Sequence, residues 1–112
     1  MSACHSDYDN PRDMLNRYFT AAIRQDYAAQ YSCYHDAYRA RVSKDDYIRH
    51  RGDASILLNY FVKSLDVTDD RAQATVLLTF APSEKLKRSN PVEKTVVEDM
   101  LREGGEWRIK VW

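Results

Sequence analysis

The chain predicts an α+β domain, three helices followed by a four-stranded antiparallel sheet, and three observations carry that expectation. Apolar residues recur at helical spacing from Pro11 to about Ile48. After Gly52 the period changes to alternation, the signature of half-buried strands. Compact turn signals at Asp69-Asp70 and Gly104-Gly105 then join successive alternating stretches as hairpins, so strands adjacent in sequence lie side by side.

Residues 1–9 have no apolar period and read as a flexible N-terminal tail, leaving one domain over residues 10–112. Asn10 as N-cap, Pro11 in the first helical position and Asp13 in the first turn mark a helix start, because they satisfy free N–H groups and complement the dipole. Leu15, Tyr18, Phe19, Ala22 and Ile23 share one face, which extends this helix from Pro11 to about Gln25. Asp26 caps a second helix, on which Tyr27, Tyr31, Tyr34 and Tyr38 form a stripe beside Ala29, Cys33, Ala37 and Ala40. That stripe either packs as an aromatic core face or lines a pocket. The third helix is short, opened by the Ser43-Lys44-Asp45-Asp46 capping pattern and anchored by Tyr47 and Ile48.

The first strand is expected over Ile56 to Val67 and the second over Ala72 to Ala81. Ala74, Val76, Leu78 and Phe80 fall on one face of the second strand, and Gln73, Thr75, Leu77 and Thr79 on the other. Pro82–Pro91 is a polar connection, and the third strand covers Val92 to Glu103. Trp107 to Trp112 closes the sheet. With Val96 and Met100 assigned to the Thr75/Leu77/Thr79 face, that surface is too apolar to sit in water, which predicts a homodimer through the sheet face.

Composition narrows the function. Seventeen Lys+Arg against 17 Asp+Glu give zero net charge, so no global field favours nucleic acid. No apolar run approaches the ~20 residues of a membrane span. Cys4 and Cys33 have neither a C-x-x-C partner nor histidines at ligand spacing, which argues against a disulfide or metal site; Cys33 reads as a small buried thiol. There is no Gly-rich phosphate loop, G-x-S-x-G or H-E-x-x-H motif, so no cofactor is implied. His35, at the edge of the tyrosine stripe, reads as a boundary residue. Ser2-Ala3-Cys4 resembles the end of a lipoprotein signal, which leaves two locations open: the cytoplasm, or the cell envelope if Cys4 follows a removed signal.

The segment Arg17 to Asp26, RYFTAAIRQD, together with the final EDMLREGGEWRIKVW, resembles small bacterial members of the nuclear transport factor 2-like superfamily. The resemblance implies a cone of helices on a curved cystatin-like sheet around a pocket, and often dimerisation through the sheet. It implies no single activity. Within that superfamily the chain is similar to ketosteroid isomerases and polyketide cyclases at Tyr18, Asp26 and Asp99, and that likeness makes Tyr18 and a protonated Asp99 an oxyanion-binding pair, the candidate catalytic residues. The carboxylate base those enzymes carry beyond helix two is missing, since the chain reads Tyr38-Arg39-Ala40-Arg41-Val42 there. The run from Asp26 to Tyr47 also looks like the non-catalytic N-terminal domain of certain transpeptidases. The expectation is therefore a non-enzymatic small-ligand-binding or protein-interaction domain, its pocket formed by Tyr18, Tyr31, Tyr34, Tyr38, Asp99 and Trp107 and accepting a small apolar ligand. The alternative is an isomerase- or cyclase-like enzyme.

Overall fold

A computed structural model describes residues 10–52, 55–85 and 87–111. The tail, Cys4 and Trp112 lie outside the described residues.

Helix α1 (Pro11–Ile23) begins as its sequence requires: the Asn10 side chain accepts the Arg12 N–H at 2.8 Å, and Pro11 fills the first position. It ends two residues earlier than expected. Gln25 takes a left-handed φ of 57°, and the N–H groups of Gln25 and Asp26 return to the Ala22 and Ala21 carbonyls, a Schellman closure.

The expected second helix is two helices, which makes four among the described residues. Asp26 caps α2 (Tyr27–Tyr31), and α3 (Asp36–Arg41) starts anew at His35, whose Nδ1 accepts the Ala37 N–H at 3.1 Å. Between them the backbone is diverted to the sheet edge. Ile109 N–H donates to the Cys33 carbonyl at 2.9 Å and His35 N–H donates to the Ile109 carbonyl at 2.8 Å. Edge-strand groups that would otherwise stay unpaired gain partners, and the helix gives way to that pairing. Helix α4 (Lys44–Gly52) is capped by Ser43, whose Oγ accepts the Asp46 N–H at 3.1 Å.

Strands β1 (Leu57–Thr68), β2 (Arg71–Phe80), β3 (Val92–Glu103) and β4 (Glu106–Lys110) form an antiparallel sheet in sequence order. Gly104 and Gly105 take φ values of 62° and 83° in the last turn, a conformation that other residues adopt only with strain. The helices cover one face. Met14, Leu15, Tyr18 and Phe19 of α1 meet Ala72, Ala74, Val76 and Leu78 of β2, with Met100, Trp107 and Ile109 from β3 and β4.

One expectation about the sheet is reversed. Val96 lies opposite Val76 and Met100 opposite Ala72, so both face the core, whereas Asp99 pairs with Gln73 on the outer face. A strand has period two, and both of its registers placed apolar residues together here: Val96 and Met100, or Val97 and Leu101. A one-residue choice moves every side chain to the other face, and pairing with β2 makes that choice. The outer face is still apolar, carried by Phe61, Leu77, Val97 and Leu101. No described helix is long and apolar enough to cross a membrane.

Candidate functional site

The helix-covered face of the sheet divides into a packed end and an open end. At the packed end the tyrosine stripe is consumed by its own contacts. Tyr34 stacks on Tyr38 with ring centroids 4.4 Å apart and meets Tyr18 and Tyr47 edge-on. Its hydroxyl lies 2.6 Å from that of Tyr18 and accepts from Tyr47 at 3.2 Å. Tyr31 donates to the Val42 carbonyl at 2.6 Å. Trp107 is buried in the same core under the Arg102 guanidinium. Four of the six residues nominated from sequence, Tyr31, Tyr34, Tyr38 and Trp107, thus pack at this end, and none of them lines the cavity at the other.

The open end is a cavity of about 200 Å³ between α1, α2, the end of α4 and the inner face of the sheet. Phe19, Ala22, Leu57, Leu78, Phe80 and Val96 make it apolar; Tyr18, Tyr27, Gln30, Arg51, Lys94 and Glu98 make it polar. Alternation explains the β3 contribution: Lys94, Val96 and Glu98 all point inward, opposite Leu78, Val76 and Ala74. The small Ala74 leaves room beneath Glu98.

Two polar side chains that line this cavity accept no hydrogen bond from the described residues. Gln30 is 1 % exposed, and its Oε1 accepts no hydrogen bond. The Glu98 carboxyl meets no donor; burial pushes it up to about 7 despite the Arg51 charge, with Asp99 adding to the rise. A native interior rarely leaves an acceptor as buried as Gln30 Oε1 unsatisfied, because that costs about 1–3 kcal/mol; the Glu98 carboxyl is half-buried. Arg51 is better provided. Its Nε donates to the Tyr47 hydroxyl at 3.2 Å, and a terminal nitrogen reaches the Tyr18 hydroxyl at 3.5 Å. Burial, with Glu98 and Tyr47 nearby, pushes the Tyr18 hydroxyl well above the ordinary tyrosine range, so it remains a neutral donor.

Tyr18 is the one nominated residue that lines the cavity. Asp99 stands on the opposite face of the sheet, accepts from Gln73 Nε2 at 3.0 Å, and lies in a surface groove with Asp66, Arg71 and Leu101. An oxyanion pair of Tyr18 and Asp99 is therefore not formed. Glu98, Gln30, Arg51 and Lys94 escaped the sequence reading. Glu98 was discoverable as the acidic member of the Lys94/Val96/Glu98/Met100 alternation once the strand register was set correctly.

The remaining nominated groups are structural. Cys33 is fully buried, its thiol pushed up to about 11 by that burial. His35 caps α3 and bonds Glu103 across to the β3–β4 hairpin. Among the described residues, no group of three His, Cys, Asp or Glu is placed to hold a metal ion.

Helices laid on one face of a curved four-stranded antiparallel sheet, with a cavity between the layers, define the nuclear transport factor 2-like fold, and this chain has it. No protein-family model matches the chain, and no curated protein matches it. Three solved structures are similar. A SEC-C motif containing protein from Rhodopseudomonas palustris aligns with a TM-score of 0.72 at 15% identity, over 96% of this chain and 79% of that one. A protein assigned as an NTF2-like transpeptidase from Campylobacter jejuni aligns with a TM-score of 0.64 at 12% identity, over 92% and 99%. TsrD from Streptomyces laurentii aligns with a TM-score of 0.58 at 16% identity, over 90% and 84%. At these identities the likeness is one of fold.

Proposed function

We propose that the domain is a non-enzymatic carrier of a small ligand, held in the cavity between α1, α2 and the inner face of the sheet. The observation that carries this reading is the Gln30 side chain, which lines the hollow and whose buried Oε1 has no donor, beside the half-buried Glu98 carboxyl, which accepts no hydrogen bond from the described residues and has only the Arg51 charge near it. The cavity, at about 200 Å³, is below the ~300–1,000 Å³ typical of drug-sized ligands, so the ligand is fragment-sized. The isomerase-like alternative needs Tyr18 and Asp99 on one oxygen; Tyr18 on α1 lines the cavity over the inner face of the sheet, whereas Asp99 accepts from Gln73 on the outer face, which favours the non-enzymatic reading.

A fragment screen by protein-observed NMR tests the reading. Binders are expected to shift amides of residues 18–30 and 94–98, and Val96→Phe, which fills the cavity, should abolish those shifts. A screen with no binders, or binders indifferent to Val96→Phe, would sink it.

The outer sheet face supports a second reading, a homodimer. Phe61 is 63% exposed and Val97 55%, and both lie on that face, an arrangement costly in water. Sedimentation should give a dimer that Phe61→Asp converts to monomer; a monomer at high concentration would exclude it.

A further inference from the structure

Two kinds of polar group share the cavity, and they make opposite demands on an occupant. Arg51 from α4 and Lys94 from β3 bring positive charge, Lys94 being the exposed one. Gln30 Oε1 is a buried acceptor without a donor, and the half-buried Glu98 carboxyl accepts no hydrogen bond from the described residues, with the Arg51 charge nearby. A ligand bearing only a carboxylate would answer the cations and leave the Gln30 oxygen orphaned in a dry wall. A ligand bearing only an amine would answer the acceptors, draw the Glu98 charge away from Arg51, and add a third cation beside Arg51 and Lys94. A ligand bearing both answers all four. The walls from Phe19, Leu57, Leu78, Phe80 and Val96 demand an apolar body as well. At ~30 Å³ per water-sized unit, the cavity of about 200 Å³ holds roughly seven such units, so the ligand is no larger than a small amino acid with part of it at the open mouth.

Resting on the ligand-binding reading above, we propose that the cavity takes a small amphoteric molecule of the apolar amino acid pattern, its N–H donor on Gln30 and Glu98 and its carboxylate toward Arg51 and Lys94. The groups facing Glu98 are Tyr18 from α1, Tyr27 and Gln30 from α2, Arg51 from α4 and Lys94 on its own strand, with Asp99 next in the chain on the other face. Of these, Glu98 itself is the one pushed to about 7. An ammonium held by Glu98 therefore binds better as pH rises through neutrality and Glu98 ionises. A carboxylate held by Arg51 and a protonated Glu98 would bind worse.

The test is calorimetry or NMR titration of the protein with leucine, 3-methylbutylamine and 4-methylpentanoate at pH 5.5 and 8. Leucine is expected to bind at least about ten-fold tighter than either single-headed analogue, the value of one buried charge-assisted hydrogen bond. Its affinity should rise toward pH 8, and Glu98→Gln should remove that rise. Equal binding of the amine or the acid, or an affinity that falls with pH, overturns the amphoteric assignment while leaving the site in place. So does a failure of all three when neutral apolar fragments still bind and are blocked by Val96→Phe. If no probe or fragment binds, the carrier reading falls with it.

Discussion

The two ends of the concave face are built from the same materials, aromatic rings and polar groups over an apolar sheet, yet they differ in whether those polar groups are satisfied. At the packed end the hydroxyls of Tyr18, Tyr34 and Tyr47 bond one another and receive Arg51. At the open end Gln30 Oε1 has no donor among the described residues, and the half-buried Glu98 carboxyl has only the Arg51 charge. Satisfied polarity fixes a core, whereas orphaned polarity costs stability and persists where something else repays it. The strongest way to break this contrast is at Tyr34. Tyr34→Ala is expected to cost about 3–5 kcal/mol, the range for deleting a buried aromatic ring. Tyr34→Phe, which keeps the stack on Tyr38, should cost only about 1 kcal/mol. Urea denaturation separates the two, and an alanine variant within ~1 kcal/mol of the parent would mean that the packed end is not a core.

The next largest effect has the opposite sign. The ordinary value for the Glu98 carboxyl is 4.5, and burial lifts it to about 7, so the folded state holds the proton more tightly than the unfolded one. Its stabilising contribution is complete below pH 4.5 and is lost as pH rises through about 7. The loss is on the order of 1–3 kcal/mol, since each pKa unit is worth ~1.4 kcal/mol and the group keeps some contact with water. Glu98→Gln should therefore stabilise the protein at pH 8 and remove this component of its pH dependence. An unchanged stability difference between pH 5 and pH 8 in the two proteins would show that Glu98 is solvated. Gln30→Leu sharpens the same point on a smaller scale: trading an orphaned acceptor for an apolar side chain should leave stability unchanged or raise it by about 1 kcal/mol. A loss beyond that range would reveal a partner for the amide.

The difference between the two ends also explains what the sequence disclosed. Capping chemistry at Asn10, Asp26 and Ser43 and the turn at Gly104-Gly105 are local, so helix starts and hairpins were legible one residue at a time. The break between α2 and α3 was not, because its cause is the edge of β4, seventy-odd residues away, which draws Cys33 and His35 into backbone pairing. The candidate site failed to read for a related reason. Its residues come from α1, α2, α4 and β3, and the face on which Glu98 falls depends on the pairing of Met100 with Ala72 rather than on β3 itself. The tyrosine stripe was visible, but its aromatic content could not say whether hydroxyls would meet each other or a ligand.

Glu98 and Asp99 reduce the comparison to a single peptide bond. They are neighbours of the same charge type, and alternation sends one into the cavity and the other to the outer face beside Gln73. If the face decides the role, Asp99→Asn should change stability by no more than about 0.5 kcal/mol, as exposed substitutions do. It should also leave fragment binding in the cavity intact, with only a slight downward move in the midpoint of Glu98, because Asp99 contributes to raising it. The same conservative change at Glu98 should alter both stability and binding. NMR titration of the glutamate carboxyl alongside denaturation of each variant measures the pair directly. Loss of cavity binding in Asp99→Asn would place that carboxylate inside and return the register of β3 to the one its sequence first suggests.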